Sequence, residues 1–396
     1  MKILFLSPSL PYPPTDGHRV RTYNILKRLS RLYNITLLCF ADKKSNAKEI
    51  QILENTCENV EIHLIHPPEC PISPYILNIF SMNPTFVTRH SKEFENKIEQ
   101  LDVSRNFDSV YVDSVGMAQY CADINIPKIL DVRDALSFQL KQMSTFAKNI
   151  VHKFYFITQS QKIRRYERVV YPKFDRVLTV SEHDATVLKR ISEHINVKSI
   201  PNGVDLSYFK PLSLEPEPNS LVFVGVMDYP PNTDAVMYFV RRIYPRIREE
   251  VSGVKFYVVG RNPTKEIMGL NGKNNIIVTG FVEDVRPYIE KAAISVNPIR
   301  IATGIQNKIL EAMAMCKPVV TSPTAARGLK YVTDEDIVIA RDEKDFAQKT
   351  VMLLEDENLQ KNVGMRGRDI VEKWYNWDFI VSEIDKVIKE ITTVNF

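Results

Sequence analysis

Short apolar runs alternate with amphipathic stretches along the first two hundred residues. Segment 17–31 carries apolar residues at the spacing of one helix face: Val20, Tyr23, Ile25, Leu26 and Leu29. The apolar runs of strand length lie at residues 2–7, 35–40, 60–65, 109–112, 128–130 and 176–180. Because strands and helices alternate, the pattern favours a parallel, doubly wound sheet.

The same alternation restarts after a proline-rich stretch at residues 201–218. This stretch contains an Asn202-Gly203 turn signal and then Pro211, Pro216 and Pro218, so we expect a linker there. New strands are predicted at residues 221–225, 255–259, 276–279, 294–296, 319–322 and 337–339. Segment 71–90, apolar and rich in proline, is predicted to be a loop or lid.

With 396 residues, the chain is long enough for two hydrophobic cores. We therefore predict an α/β fold of two Rossmann-like domains facing a central cleft. The predicted boundaries give domains 1–206 and 207–375, followed by a C-terminal helical segment 376–396 that packs back on the first domain. Open α/β sheets bind ligands at the carboxyl ends of their strands, so the cleft is the expected site.

Composition narrows the class of protein. The hydrophobic content of 44% and the net charge of +4 are ordinary, and they give no reason to expect nucleic-acid binding. The five cysteines are scattered without a C-x-x-C pair, which argues for reduced thiols and against a zinc or disulfide framework. The first apolar run stops at Leu6, and no stretch reaches the ~18 apolar residues of a membrane span, so we expect a cytoplasmic protein.

The charge distribution adds one candidate partner. Segment 141–176 holds nine basic residues against two acidic ones, with aromatic residues interleaved. Such a segment is typical of proteins that lie on an anionic membrane, here the inner membrane face. The alternative is a solvated helix face whose aromatic side chains turn into the core.

The densest chemical signal lies in residues 297–314. A predicted strand ends near Asn297, a loop contains Gly304, and a helix is expected to start at about Ile305. The helix start favours a phosphate, and Lys308 can reach the same charge from one turn inside the helix. Glu311 shares that face and can accept hydrogen bonds from a ribose diol. The alternative for Lys308 and Glu311 is a solvated pair.

This run resembles the Gly-containing loop and Lys-Leu-Glu-Ala-Met-Ala helix of the retaining family-four glycosyltransferases, a family of the two-Rossmann-domain (GT-B) architecture. The match extends along nearly the whole chain. Its other parts are Pro201–Asp205, Val224-Gly225, Val259-Gly260-Arg261 and Thr279–Val282. The chain looks most similar to bacterial sugar transferases of exopolysaccharide loci.

The resemblance implies a site. Glu311 would bind the ribose of a UDP- or GDP-sugar, Phe281 would lie beside the base, and Lys308 would hold the diphosphate. The loop Thr303, Gly304, Ile305 and Gln306 would hold the diphosphate and part of the sugar. In the first domain, Gly17 would begin a helix that faces the diphosphate, with Arg19 and Arg21 as nearby cations. The residues expected at the transferred sugar and acceptor are His18, Asp131, Arg133 and Asp134.

The chain also departs from the family. Thr303 replaces a glutamate that many members have, and residues 227–232 lack the usual Arg and Lys of the diphosphate clamp. Arg261, Arg300 and Lys308 are the candidates to replace that clamp. We expect neither a metal nor a cofactor, because no Asp-x-Asp pair stands at a strand end and cations can stabilise the leaving group.

The implied reaction is sugar transfer, with retention of configuration, to a glycan or lipid-linked acceptor. A dehydrogenase is disfavoured because no G-x-G-x-x-G follows the first strand, and a P-loop is also missing from the sequence. A nucleotide-sugar 2-epimerase of the same fold and a non-catalytic nucleotide-sugar binder remain as alternatives.

Overall fold

The computed structural model of the chain describes residues 1–41, 47–67, 81–87, 90–147 and 149–393. It contains two compact units, one of Met1–Ile200 with Ile380–Phe396, and one of Pro201–Phe379. The predicted boundaries after residues 206 and 375 lie a few residues from these limits. Most of the predicted loop or lid at 71–90 lies outside the described residues.

The first unit is built on a seven-stranded parallel sheet in the order β3-β2-β1-β4-β5-β6-β7. The strands are β1 Lys2–Ser7, β2 Asn34–Phe40, β3 Val60–Ile65, β4 Ser109–Asp113, β5 Lys128–Arg133, β6 Arg176–Thr179 and β7 Val197–Ser199. Six of them lie where apolar runs predicted them. β7 was not predicted, because three residues around a lysine give no apolar run.

Helices cover this sheet, and several of them begin where a side chain caps the first turn. Asp16 accepts a hydrogen bond from the Arg19 N–H at 3.0 Å and so starts the first helix. The helices are α1 Gly17–Leu29, α2 Ala47–Thr56, α3 Lys92–Gln100, α4 Val103–Asn106, α5 Leu136–Phe146, α6 Ile150–Val170 and α7 Glu182–Ile191. Short 3₁₀ turns lie at Val115–Tyr120 and Tyr171–Lys173.

The second unit has a six-stranded parallel sheet in the order β10-β9-β8-β11-β12-β13. Its strands are β8 Glu217–Val224, β9 Lys255–Val259, β10 Ile276–Gly280, β11 Ala292–Asn297, β12 Val319–Thr321 and β13 Val338–Ile339. The predicted linker was wrong at its end, since β8 begins at Glu217 and includes Pro218. The pairing of β8 with β11 shifts register before Leu221, and such an irregularity tolerates a proline.

The helices of the second unit follow the same alternation. They are α8 Pro230–Tyr238, α9 Tyr244–Glu250, α10 Lys265–Met268, α11 Arg286–Lys291, α12 Asn307–Ala314, α13 Pro323–Ala326, α14 Glu343–Glu355 and α15 Glu357–Trp374, with a π turn at Phe239–Ile243. The two parallel sheets with their helices confirm the predicted fold class of two Rossmann-like domains.

A final helix, α16 Trp377–Thr393, returns to the first unit. The Tyr33 hydroxyl donates to the carboxylate of Asp385, and Lys198 lies 3.4 Å from Glu383. The apolar face of α16 is buried through Ile384 and neighbouring residues. In the part of the chain that the structure describes, no helix is both long and apolar enough to cross a membrane.

Candidate functional site

The carboxyl edge of the second sheet holds most of the predicted donor residues. In this sheet the strand order reverses between β8 and β11, and ligands of open α/β sheets bind at such a switch point. The loops that follow β8, β9, β10 and β11 therefore end at one edge. Residues after β9, β10 and β11 were predicted to hold the donor.

The ends of β8 and β9 approach so closely that a side chain has no room between them. Gly260 has φ +146°, and a Cβ built there would lie 1.8 Å from the Gly225 carbonyl oxygen. The Met227 N–H donates to the Arg261 carbonyl at 2.9 Å, which ties the two loops together. The Arg261 side chain is exposed and has no partner among the described residues. Its guanidinium is therefore available for an anion.

Arg300 is placed differently from Arg261. Its Nε and Nη2 atoms donate to the two carboxylate oxygens of Asp234 at 3.0 and 2.5 Å. The guanidinium also lies 4.4 Å from the centre of the Tyr238 ring. A bidentate pair of this kind positions the arginine firmly. Arg300 would have to share its charge with Asp234 in order to bind a diphosphate.

The loop before α12 brings a polar atom and a tight backbone contact together. The helix begins at Asn307, two residues later than the sequence predicted, with Gln306 as its cap residue and Ile305 buried before it. Gly304 has φ +61°, and its carbonyl oxygen would lie 2.1 Å from a Cβ at Gly328. The Thr303 hydroxyl is buried and has no hydrogen-bond partner in the described structure. A buried hydroxyl without a partner marks a place where a ligand can bind.

Lys308 and Glu311 lie half-buried on the first turns of α12. The Lys308 ammonium donates to the Asn232 side-chain oxygen at 2.6 Å and lies 4.9 Å from the centre of the Phe223 ring. Burial lowers the pKa of Lys308 to about 8, although Glu311 opposes the shift. Burial also raises the pKa of Glu311 to about 7, against the effect of Lys308. Both groups are therefore poorly solvated, unlike a solvated surface pair.

Asn232 was missed by the sequence analysis. It lies in the first turn of α8, where its side-chain nitrogen donates to the Val226 carbonyl at 2.9 Å. A Cβ at Gly225 would collide with it at 2.7 Å, so the amide fills the space over the end of β8. The sequence signal that could have identified Asn232 was its place in residues 227–232, the stretch that lacks the Arg and Lys of the family's diphosphate clamp.

Phe281, after β10, is 71% exposed and offers a flat apolar face at the same edge.

The first unit carries its polar residues at the equivalent edge, where its sheet reverses between β1 and β4. Asp113, at the end of β4, is buried and accepts hydrogen bonds from Thr22 at 2.6 Å and Arg133 at 2.5 Å. His18 Nε2 lies 3.6 Å from the same carboxylate. Burial raises the pKa of Asp113, but Arg133 and His18 outweigh it, and the net shift is downward. The sequence analysis missed Asp113 as the residue that organises this edge.

Backbone strain concentrates at the same edge. Arg133, at the end of β5, has φ +64°, and Ser114, just after β4, has φ +87°. The Ser114 N–H donates to the Asp131 carbonyl at 2.9 Å, and the Val180 N–H donates to the Arg133 carbonyl at 2.7 Å. Such conformations are costly for residues other than glycine and cluster at functional sites. The strain aims the Arg133 side chain at Asp113.

Asp131 lies inside the unit. Its Oδ2 accepts hydrogen bonds from Arg21 Nε at 2.8 Å and from the Tyr111 hydroxyl at 2.6 Å, and all three side chains are fully buried. Arg21 was expected to be a cation near the diphosphate, but α1 turns it into the core, where Asp131 pairs with it. Asp131 Oδ1 has no partner in the described structure.

The remaining predicted residues lie near this network. Gly17 is the first residue of α1, and His18 follows it with a pKa that burial lowers, although Asp113 opposes the shift. Burial and then Asp184 raise the pKa of Asp134 to about 7, although Arg133 opposes them. At this edge a group that titrates near neutral pH therefore lies beside an arginine. No group of three or more His, Cys, Asp or Glu side chains suited to a metal ion occurs within the described ranges.

Comparison with models of protein families shows to which family the chain belongs. A model described as Glycosyltransferase Family 4 matches residues 15–208, and one described as Glycosyl transferases group 1 matches residues 218–356. The chain belongs to the family-four glycosyltransferases. Between them, the two matches cover both sheet edges of the transferase, from α1 to α14.

Known proteins resemble the transferase along its whole length. A Klebsiella pneumoniae protein described as an uncharacterized 44.6 kDa protein in the cps region is 20% identical over 97% of this chain and 99% of its own. Sucrose-phosphate synthase from Thermosynechococcus elongatus has a TM-score of 0.74 at 15% identity and covers 100% of both chains. HepE from Anabaena, in complex with UDP and glucose, has a TM-score of 0.69 at 15% identity over 98% of this chain and 100% of its own.

Proposed function

We propose that the transferase moves a sugar from a UDP- or GDP-sugar to a glycan or lipid-linked acceptor, with retention of configuration and without a metal ion. The observation that carries this proposal is the pair Lys308 and Glu311 on α12. Both charges lie half-buried at the switch point of the sheet, where burial disfavours each of them. A bound nucleoside diphosphate would supply an anion for Lys308 and a ribose diol for Glu311.

The chain supplies cations for the leaving group. When the bond between the sugar and the diphosphate breaks, negative charge grows on the leaving oxygens. In the proposed reaction Lys308 and Arg261 would stabilise that charge, and the Thr303 hydroxyl would donate a hydrogen bond to the donor. The complex of HepE with UDP and glucose favours a UDP-sugar among the two donor types.

In the proposed reaction the acceptor oxygen attacks the anomeric carbon on the face that the diphosphate leaves. The acceptor proton passes to the leaving phosphate oxygen, so no protein base is required. Asp134, whose pKa is near 7, would orient the acceptor hydroxyl, and Arg133 would be held in place by Asp113. These roles use groups that the first unit already positions.

A binding screen tests the donor assignment. We expect one nucleoside diphosphate among UDP, GDP and ADP to raise the melting temperature by several degrees, with CMP and NAD inactive and EDTA without effect. No shift with any diphosphate would contradict the proposed donor site. A shift that EDTA abolishes would contradict metal independence.

Turnover separates the transferase from its alternatives. With the matching nucleotide sugar, we expect release of the nucleoside diphosphate that depends on an added acceptor, and NMR of the product should show the anomeric configuration of the donor. Release of a free epimer without acceptor would indicate a 2-epimerase instead. Binding without turnover across glycan and lipid-linked acceptors would indicate a non-catalytic binder.

A further inference from the structure

The first unit carries a long helical hairpin made of α5 and α6. The Ser160 hydroxyl donates to the Ser137 carbonyl at 2.7 Å, and the Ser137 N–H donates to Glu167 at 3.1 Å. The start of α5 therefore lies beside the second half of α6, and these contacts form the buried base of the hairpin. Ile150 lies ten residues before Ser160, so the opposite end of α6 extends about 15 Å from the base.

The end of the hairpin opposite the base exposes many large apolar side chains to solvent. Five large apolar side chains are exposed there: Phe146 44%, Ile150 76%, Val151 57%, Phe154 58% and Ile157 39%. We call these five residues the hairpin tip. They make up five of the fifteen exposed large apolar side chains in the described structure, within only twelve positions. Clustered exposed apolar residues mark interaction surfaces, whereas scattered ones do not.

The charges around the hairpin tip have one sign. Residues 135–166 contain six Lys or Arg residues and no Asp or Glu. Among them, Lys141 and Lys153 are exposed, and Arg164 and Arg165 are exposed on the part of α6 that belongs to the base. An apolar end with cationic sides complements a surface that is apolar inside and anionic outside, which is the arrangement of an anionic lipid bilayer.

The structure also changes the interpretation of the aromatic residues in this segment. Tyr155, Phe156 and Tyr166 are half-buried, as expected of a helix that turns its aromatics inward. Phe146 and Phe154 are exposed, and burial in the core therefore does not account for them. The two interpretations apply to different parts of one hairpin, and the tip is the part whose apolar side chains are exposed.

We infer that the hairpin tip inserts into the headgroup layer of an anionic membrane, with Lys141 and Lys153 on the sides of the hairpin contacting lipid phosphates. Insertion of this kind reaches about 5–10 Å into the interface and does not require a membrane span. The inference goes beyond the proposed transfer reaction and does not depend on the identity of the donor. It would place the transferase on a surface that carries lipid-linked acceptors.

Vesicle binding of the full-length protein tests this inference. The wild type should float with vesicles of equal parts phosphatidylglycerol and phosphatidylcholine, bind pure phosphatidylcholine weakly, and be released by high salt. The double variant Ile150→Ser with Phe154→Ser should reduce partitioning to the anionic vesicles by at least about tenfold. Its melting temperature should stay near that of the wild type, since both side chains are already exposed.

One helix offers a matched control. Val151 and Val169 both lie on α6 and are both 57% exposed, but only Val151 belongs to the hairpin tip. Val151→Glu should weaken vesicle binding strongly, and Val169→Glu should leave it close to wild type. Equal effects of the two variants, or failure of the wild type to bind anionic vesicles, would overturn the inference.

A second outcome would also overturn it. If the wild type dimerises in solution without lipid and Val151→Glu alone makes it monomeric, the hairpin tip is an interface between two copies of the chain. Activity on a water-soluble acceptor separates this inference from the proposed function. The tip variants should keep that activity, and a failed vesicle assay with normal turnover would leave the transfer reaction intact.

Discussion

The two sheet edges of this transferase hold their charged groups in opposite ways. At the edge of the first unit, Asp113 and Asp131 each accept hydrogen bonds from an arginine and a hydroxyl, and both carboxylates are buried. At the edge of the second unit, Arg261 has no described partner, and burial disfavours both charges of the pair Lys308 and Glu311. The first edge is organised before any ligand arrives, whereas the second is left incomplete.

This difference indicates how stability and function are divided. Removing one partner of a buried charge pair is strongly destabilising, because the other charge is left buried and uncompensated. An unpaired or desolvated charge costs stability in the free protein and becomes favourable when a ligand binds. Substitutions in the buried Asp131 pair of the first edge should therefore act on folding, and those at the second edge should act on binding and turnover.

The largest expected effect is a loss of stability when the buried pair of Arg21 and Asp131 in the first unit is broken. Arg21→Leu should lower the free energy of unfolding by about 3–5 kcal/mol, because it leaves the Asp131 carboxylate buried without its cation. Denaturant unfolding would measure this loss. Arg261→Leu is the matched control at the second edge and should change stability by less than about 0.5 kcal/mol. Equal losses in both variants would mean that the two edges do not differ.

The next effect is on turnover at the second edge. Lys308→Ala should weaken nucleotide binding at least tenfold and lower turnover by about 10²–10³-fold, because one donor to the leaving phosphate is lost. Titration calorimetry and a nucleotide-release assay would measure the two quantities. Lys386→Ala provides the control, since Lys386 forms an exposed pair with Glu383 three residues away. Wild-type activity in Lys308→Ala would refute the assignment of the donor site.

The smallest effect is a pH dependence of stability. The pKa of Glu311 is about 7 in the folded protein, whereas its ordinary value of 4.5 applies to the unfolded chain. The folded state therefore binds a proton more tightly than the unfolded state. Its contribution to stability is therefore present below pH 4.5 and is lost as the pH rises to about 7. The melting temperature of Glu311→Gln minus that of the wild type should increase between pH 5 and 7 and then level off.

Glu383→Gln serves as the control for that measurement. Its partners Lys386 and Lys198 help to lower the pKa of Glu383, so its stabilisation is complete above the unfolded value and is lost only in acid. The difference between this variant and the wild type should stay flat from pH 5 to 8. A flat difference for Glu311→Gln as well would show that α12 does not hold a desolvated carboxylate.

Sequence patterns predicted the strands well where apolar runs were long. They failed at β7, which is short and contains Lys198, and at the start of β8, where Pro218 resembled a linker residue. In both cases neighbouring strands supply the pairing, and a local window of sequence does not contain that information.

The candidate site was predicted unevenly for a related reason. Lys308 and Glu311 were found because a loop, a glycine and a helix start stand together in the sequence. Asp113 and Asn232 are single polar residues without a local pattern, and their importance comes from partners 91 and 76 positions away. Arg21 was expected near the diphosphate, but the orientation of α1 turns it towards Asp131.

The sequence by itself determined the class of fold, the order of most strands along the chain and the helix that carries Lys308 and Glu311, because periodicity and motifs are local properties. Only the tertiary structure decided which charges are paired and which are left for a ligand. It also decided that Phe146 and Phe154 are exposed while Phe156 is half-buried. Burial and pairing depend on residues distant in the chain, so they become defined when the sheets and helices pack together.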